Sequence, residues 1–74
     1  MKRTRHQVVS DTLREDILNG KYLSKLPSEM QLVMRFGVSR TTVQRALRDF
    51  EREGLIVKQR GRGSFVVPQD EAKG

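Results

Sequence analysis

The sequence predicts one small domain of the α+β class, mainly helical, with three helices followed by a two-stranded hairpin. Apolar residues recur at three- and four-residue intervals in three stretches before Gly54, which is the period of helices buried on one face. After Gly54, the β-prone runs Leu55-Ile56-Val57 and Ser64–Val67 flank a glycine-containing turn, which is typical of a hairpin. We expect residues 1–68 to form the domain and residues 69–74 to form a polar linker or tail.

Length and composition exclude several classes of protein. A chain of 74 residues forms one domain at most, which buries about 60% of its unfolded surface at this size. The sequence has no cysteine and a single histidine, His6. It therefore offers no disulfide, no zinc ligand set and no nucleophile–histidine pair. We expect neither an enzyme nor a bound cofactor or metal.

The charge balance indicates a polyanionic partner. Fifteen Lys and Arg residues against nine Asp and Glu give a net charge of +6. Arginine predominates, and its planar guanidinium suits bidentate recognition of phosphates and base edges. Nucleic acid is thus the first expectation and an anionic membrane surface the second. No apolar run approaches ~18 residues and no signal-peptide core follows the basic start, so we expect a cytoplasmic protein.

The first helix is predicted from Gln7 to Asn19. Its apolar residues step by four along one face, and Asn19-Gly20 is a typical stop signal. These apolar residues are Val9, Leu13 and Ile17. The cationic residues before the helix form a short leader, either a disordered terminus or an arm that touches phosphates. They are Lys2, Arg3, Arg5 and His6.

The second helix follows a short irregular segment over residues 21–25. Pro27 favours an extended conformation at the preceding residue, and Ser28 with Gln31 forms a capping box at the helix start. Gly37 ends the helix after about two turns. Its predicted apolar face consists of Leu32, Val33 and Phe36, with Met30 and Met34 on the outer side.

The third helix is predicted from its N-cap, Ser39, to Glu53, with Gly54 as its left-handed stop. One face carries the apolar residues Val43, Ala46, Leu47 and Phe50. Only Gly37-Val38 separates this helix from the preceding one. Two helices joined by a tight turn that contains glycine, the second basic on its outer side, indicate a helix-turn-helix.

Two simpler interpretations remain open at this point. The outer face of the third helix could be an ordinary solvated surface, because Asp49, Glu51 and Glu53 offer local ion-pair partners for its arginines. The hairpin with its turn Gly61-Arg62-Gly63 could equally be an ordinary surface hairpin. Only the combination of the two favours a binding surface.

Three helices followed by a two-stranded wing is the order of a winged helix-turn-helix. Several stretches resemble the DNA-binding domain of GntR-family bacterial transcription regulators. They are Leu26-Pro27-Ser28-Glu29, Phe36-Gly37-Val38-Ser39-Arg40-Thr41-Thr42-Val43, Ala46-Leu47, Glu53-Gly54-Leu55 and Gly61-Arg62-Gly63-Ser64-Phe65-Val66. Each is weak alone, but together they are specific, and the resemblance extends from the first helix to Val67.

The resemblance implies which residues contact DNA. In that family the start of the recognition helix contacts bases and phosphates, and the wing tip enters the minor groove. A major groove admits an α-helix, and arginine can bind guanine O6 and N7 with two hydrogen bonds. The expected DNA-binding residues are Ser28, Ser39, Arg40, Thr41, Thr42, Gln44, Arg45, Arg48, Lys58, Arg60, Gly61, Arg62 and Gly63.

Two departures from the family concern this set. Met30 and Gln44 stand where the family often has arginine. The Met30 position therefore offers one phosphate or base contact fewer. Glutamine favours adenine N6 and N7, so the preferred operator differs at that base.

The resemblance also implies partners beyond this domain. It indicates a homodimeric regulator, a repressor in the first place, that binds a palindromic operator and answers to a sugar- or amino-acid-like metabolite through a C-terminal effector domain. That domain is missing from this sequence. Since the spare apolar residues form no large patch, we expect the isolated domain to be monomeric. The competing hypotheses are a protein-interaction module for an acidic partner and a non-specific nucleic-acid binder.

Overall fold

The computed structural model describes residues 3–68 of the chain. Three helices are followed by two antiparallel strands: α1 (Arg5–Leu18), α2 (Glu29–Phe36), α3 (Arg40–Glu53), β1 (Ile56–Gln59) and β2 (Gly63–Val66). This order confirms the predicted winged helix-turn-helix. Lys2 of the predicted leader and the predicted tail, residues 69–74, lie outside the described residues.

Helix α1 begins two residues earlier than the periodicity predicts. The Thr4 hydroxyl accepts a hydrogen bond from the Gln7 amide at 3.1 Å, and the Gln7 side chain accepts one from the Thr4 amide at 2.9 Å. This capping box satisfies two amides at the helix start. Arg5 and His6, which were expected in a leader, therefore belong to the first turn of α1, and that expectation was wrong for both.

The helix-turn-helix is closed by the predicted caps. Ser28 and Gln31 form the capping box of α2, and Ser39 accepts from the Thr42 amide at the start of α3. Gly37 adopts a left-handed conformation with φ of 64°. A residue with a Cβ disfavours that conformation, so the glycine makes the short turn between α2 and α3 possible.

One hydrophobic core lies between α1, α2, α3 and the wing. The predicted apolar faces of all three helices contribute to it, and Phe50 is fully buried. Leu55 and Ile56 at the start of the wing also belong to the core, and so does Leu26 from the segment before α2. Its buried members are Val9, Leu13, Ile17, Leu26, Leu32, Val43, Ala46, Leu47, Phe50, Leu55 and Ile56.

Polar contacts between α1 and α3 surround this core. Arg14 donates to both carboxylate oxygens of Glu53 at 3.1 and 2.6 Å, and its guanidinium lies 5.4 Å from the centre of the Phe50 ring. The hydrogen bond to Glu53 raises the pKa of Arg14, and partial burial opposes the rise. His6 Nε2 lies 3.0 Å from an Asp49 carboxylate oxygen. Two carboxylates of α3 are thus directed towards α1.

The wing is attached to the segment that precedes α2. Strands β1 and β2 pair in register from Ile56 opposite Val66 to Gln59 opposite Gly63. Lys25 forms an isolated antiparallel bridge with Phe65 at the other edge of β2. Two backbone hydrogen bonds flank this bridge, from Leu26 N to Ser64 O at 3.0 Å and from Val66 N to Ser24 O at 2.6 Å. They fix the wing relative to the start of α2.

Along residues 3–68, no helix has the length and apolarity that crossing a bilayer requires. Nor does this part of the chain bring together three or more His, Cys, Asp or Glu side chains in a group that could hold a metal ion.

Candidate nucleic-acid interface

The start of α3 presents an exposed polar surface. Its buried face packs into the core, while Arg40, Thr41 and Arg45 are exposed. The Ser39 and Thr42 hydroxyls lie 3.0 Å apart. Capping therefore fixes both hydroxyls at the tip of the helix, where the free backbone amides of the first turn and the positive end of the helix dipole favour an anion.

Ion pairing divides the cations of the domain into two groups. Residues 3–68 contain thirteen of the fifteen Lys and Arg residues, all except Lys2 and Lys73. Six have a carboxylate within 4.0 Å: Arg3, Arg14, Lys21, Arg35, Arg40 and Arg52. Within the same range, no carboxylate pairs with the remaining seven: Arg5, Lys25, Arg45, Arg48, Lys58, Arg60 and Arg62.

Six of these seven unpaired cations belong to α3, to the wing or to the segment before α2. Shared clefts connect five of them in sequence. Arg45 and Arg48 line one depression, Arg48 and Lys58 line the next, and Lys58, Arg62 and Lys25 line a third. We call this continuous surface, together with Arg60 in the hairpin turn, the basic surface. Unneutralised charge of one sign on one side of a small domain attracts a polyanion.

Within residues 3–68, no carboxylate of α3 lies within 4.0 Å of a cation of the basic surface, although Glu51 lines the cleft shared by Arg48 and Lys58, and Asp49 lines the depression with Arg45 and Arg48. Asp49 contacts His6 and Arg52, and Glu53 contacts Arg14. Among residues 3–68, Arg45 and Arg48 therefore have no local ion pair with these carboxylates, whereas Arg52 pairs with Asp49. Sequence spacing alone cannot show this, because the partners on α1 are 39 and 43 residues away.

Glu29 is a residue of the surface that the sequence analysis did not select. Its Oε1 accepts a hydrogen bond from Gln44 Nε2 at 3.3 Å and lies 3.9 Å from Arg40 Nε. One amide hydrogen of Gln44 is thus engaged, while its other hydrogen and its carbonyl oxygen are left for an outside partner. In the sequence, Glu29 is recognisable only as an acidic residue in the first turn of α2, which is favourable for a helix start and does not indicate a contact with α3.

The wing tip requires glycine at both predicted positions. Gly61 and Gly63 have φ values of +76° and +110°, which side chains with a Cβ rarely adopt. Around Gly61, the space that a Cβ would take is open. At Gly63 a Cβ would lie 3.2 Å from Cε of Lys25. The Lys25 side chain, also missed by the sequence analysis, therefore lies against Gly63.

The predicted site residues come together in two neighbouring groups. The predicted residues between Ser39 and Arg48 lie on the side of α3 that faces away from the core. Those between Lys58 and Gly63 belong to β1 and to the tip of the wing. Ser28 lies at the start of α2 and lines the cleft that also contains Lys58, Arg62 and Gly63. Its hydroxyl accepts from the Gln31 amide at 3.2 Å. It thus contributes a helix start to the surface.

Comparison with known proteins agrees with this architecture. The model of the family described as "Bacterial regulatory proteins, gntR family" matches residues 5–66. The chain belongs to the GntR family. The match includes all three helices and both strands, so the family resemblance of the sequence motifs is confirmed.

Relatives and solved structures place this GntR-family chain more closely. It is 41% identical over 64 residues to the histidine utilization repressor of Klebsiella aerogenes. This match covers 84% of this chain and 27% of the relative. It is 40% identical over 60 residues to the transcriptional repressor NagR of Bacillus subtilis, covering 78% of this chain and 25% of NagR. The chain thus spans about a quarter of the length of these relatives.

A structure of the DNA-binding domain of AraR in complex with operator ORR3 superimposes on this GntR-family chain with a TM-score of 0.85. The two are 33% identical, and the match covers 90% of this chain and 83% of the AraR domain. The winged helix-turn-helix fold is therefore shared with a domain whose structure includes operator DNA.

Proposed function

We propose that this GntR-family domain binds a double-stranded operator in a sequence-specific manner, with the start of α3 in the major groove and the wing tip in the adjacent minor groove. The observation that carries the proposal is the basic surface, where six unpaired cations connect α3 with the wing. A duplex carries regularly spaced negative charge along both strands, and it is the polyanion that a helix and a hairpin can follow together.

The start of α3 reads the bases in this proposal. Arg40 is 61% exposed in its side chain and lies in the first turn, within reach of guanine O6 and N7. Gln44 keeps one amide hydrogen and its carbonyl oxygen free, which suffices for a bidentate contact with adenine N7 and N6. Thr41 is exposed beside them and can contact a base or a phosphate.

In this proposal, the remaining residues contact the sugar–phosphate backbone of the DNA and its minor groove. Arg45, Arg48, Lys58 and Arg60 supply charge to phosphates. Ser28, Ser39 and Thr42 form or support helix starts, whose free amides suit phosphate oxygens. The tip Gly61-Arg62-Gly63 brings backbone close to a narrow groove, and its negative potential favours Arg62.

The relatives support a wider assembly. Two of them are named as repressors, and this chain spans about a quarter of their length. We therefore propose a cytoplasmic repressor that acts as a homodimer on a palindromic operator, with a small-molecule effector bound by a further, C-terminal domain. The 74-residue domain itself is proposed to be monomeric and to bind one half-site. Linking two copies raises apparent affinity by ~10²–10⁴ through effective concentration.

Selection of bound duplexes from a random pool at low salt tests the proposal. Repeated rounds with the wild-type domain are expected to enrich one half-site, alone or as an inverted repeat, because Arg40 and Gln44 discriminate between bases. The matched control is the double variant Arg45→Ala/Arg48→Ala, which should retain the same motif at lower yield. A pool that stays random supports a non-specific binder, and a pool that is not retained at all supports a protein-interaction module.

A further inference from the structure

We propose that Lys25, together with Lys58 and Arg62, forms a site for one phosphodiester of the DNA strand that passes between α3 and the wing. This inference rests on the proposed function and adds to it a residue from the segment before α2. In the amino-acid sequence, Lys25 is an isolated lysine, and none of its sequence neighbours indicates that it belongs to the basic surface.

A cleft of about 350 Å³ separates the wing from the start of α2 and from α3. Three cations line it from two sides, Lys25 from the segment before α2 and Lys58 and Arg62 from the wing. Ser28 at the α2 N-cap and Leu47 of α3 form other parts of the wall. The one carboxylate in the lining, Glu29, is already engaged by Gln44 and Arg40. The cleft thus presents three positive charges without a matching anion.

The backbone fixes Lys25 at this position. Its bridge to Phe65 and the two flanking hydrogen bonds make the segment an extra edge of the wing sheet. The aliphatic stem lies against Gly63, with Cε 3.2 Å from the place a Cβ would occupy. A lysine that packs its stem and leaves its ammonium free directs the charge with little loss of further side-chain freedom.

Lys21 shows the contrast four residues earlier. Its ammonium lies 3.7 Å from Asp16 and 5.8 Å from the centre of the Tyr22 ring. Lys21 therefore has partners within the domain, whereas no carboxylate among residues 3–68 pairs with Lys25. The two lysines belong to the same short segment, but only Lys21 has a carboxylate partner among residues 3–68.

The geometry of a duplex identifies the ligand of the cleft. Adjacent major and minor grooves are separated by one sugar–phosphate backbone. If α3 enters the major groove and the wing tip the neighbouring minor groove, the cleft between them straddles that backbone. An ammonium acts on a phosphate as a point charge and does not read the base, so Lys25 contributes affinity without sequence preference.

Replacing Lys25 tests this site. Lys25→Ala is expected to weaken binding of the selected duplex and of a random duplex equally, by about 3- to 10-fold at low salt. It should also decrease the magnitude of the negative slope of log K against log salt by about 0.9, which corresponds to the loss of one phosphate contact. Lys25→Met keeps the stem against Gly63 and should give the same losses. Lys21→Ala is the matched control and should leave affinity and slope unchanged.

A duplex with single neutral methylphosphonates locates the contact. At one backbone position, between the bases read by α3 and the minor groove, the substitution should weaken the wild-type domain and have no further effect on Lys25→Ala. An unchanged slope for Lys25→Ala, or a penalty that persists at every methylphosphonate position, overturns the inference. A wild-type domain without salt-dependent duplex binding contradicts the proposed function instead, so the two failures are distinguishable.

Discussion

Raising the salt concentration from about 50 to about 200 mM is expected to weaken duplex binding by about 10²–10³-fold. The reason is counterion release: each phosphate neutralised by Lys or Arg contributes about −0.9 to the slope of log K against log salt. The basic surface, with six unpaired cations in α3, the wing and the segment before α2, can neutralise about 4–6 phosphates per domain. Fluorescence anisotropy of a labelled duplex at several salt concentrations measures the slope.

The variants of α3 provide the control for this prediction. Arg45→Ala/Arg48→Ala removes two unpaired cations that line one depression. The magnitude of the slope of log K against log salt should therefore decrease by the contribution of about two phosphate contacts. Both side chains are exposed, so the melting temperature should change little. An affinity that stays constant from low to moderate salt would show that phosphate contacts do not hold the complex.

Arg40→Ala is expected to reduce discrimination between the selected and a random duplex by about 1–3 kcal/mol, which is roughly 5- to 150-fold. Arg40 projects from the first turn of α3, and its only carboxylate neighbour among residues 3–68, Glu29, is 3.9 Å away. The guanidinium can therefore leave that neighbour for a guanine at small cost. Paired titrations of the two duplexes with each variant measure the change.

Lys58→Ala is the matched comparison for Arg40→Ala. Lys58 lies on β1 opposite Ser64, is exposed and has no carboxylate partner within the described chain. Its ammonium acts as a point charge, so both duplexes should lose affinity by the same factor. If Arg40→Ala also lowers both affinities equally, Arg40 contacts phosphate and does not read a base.

Most of the fold could be predicted because local signals agree with the tertiary structure. The caps at Ser28, Ser39 and Gly54 and the apolar stripe of α3 all lie where the pattern indicates. The start of α1 differs from the prediction because the capping box of Thr4 and Gln7 begins the helix before its apolar stripe starts at Val9. The strand starts differ by one residue from the prediction, with β1 starting later and β2 earlier, because Gly63 pairs with Gln59 as well as flanking the turn.

The charges of the surface were less predictable, because ion pairing is set by tertiary contacts. Asp49 and Glu53 are neighbours of the α3 arginines in sequence, yet they contact His6 and Arg14 of α1. Glu29 joins the surface only because α2 places it beside Arg40 and Gln44.

Lys25 joins the surface for a similar reason. It lies beside the wing because its segment pairs with β2, 40 residues further along the chain. No pattern in the sequence reports a pairing over that distance. The glycine at Gly63, by contrast, was predictable, although its contact with Lys25 was not.

Chemical-shift mapping of the isotope-labelled domain during titration with the selected duplex tests most directly whether α3 and the wing bind DNA. The largest changes are expected at the backbone amides of residues 39–45 and 58–63 and at Lys25. The amides around Glu15 and Leu18, exposed on α1, should not move. Changes confined to α1, with the start of α3 and the wing tip unaffected, would contradict the proposed interface.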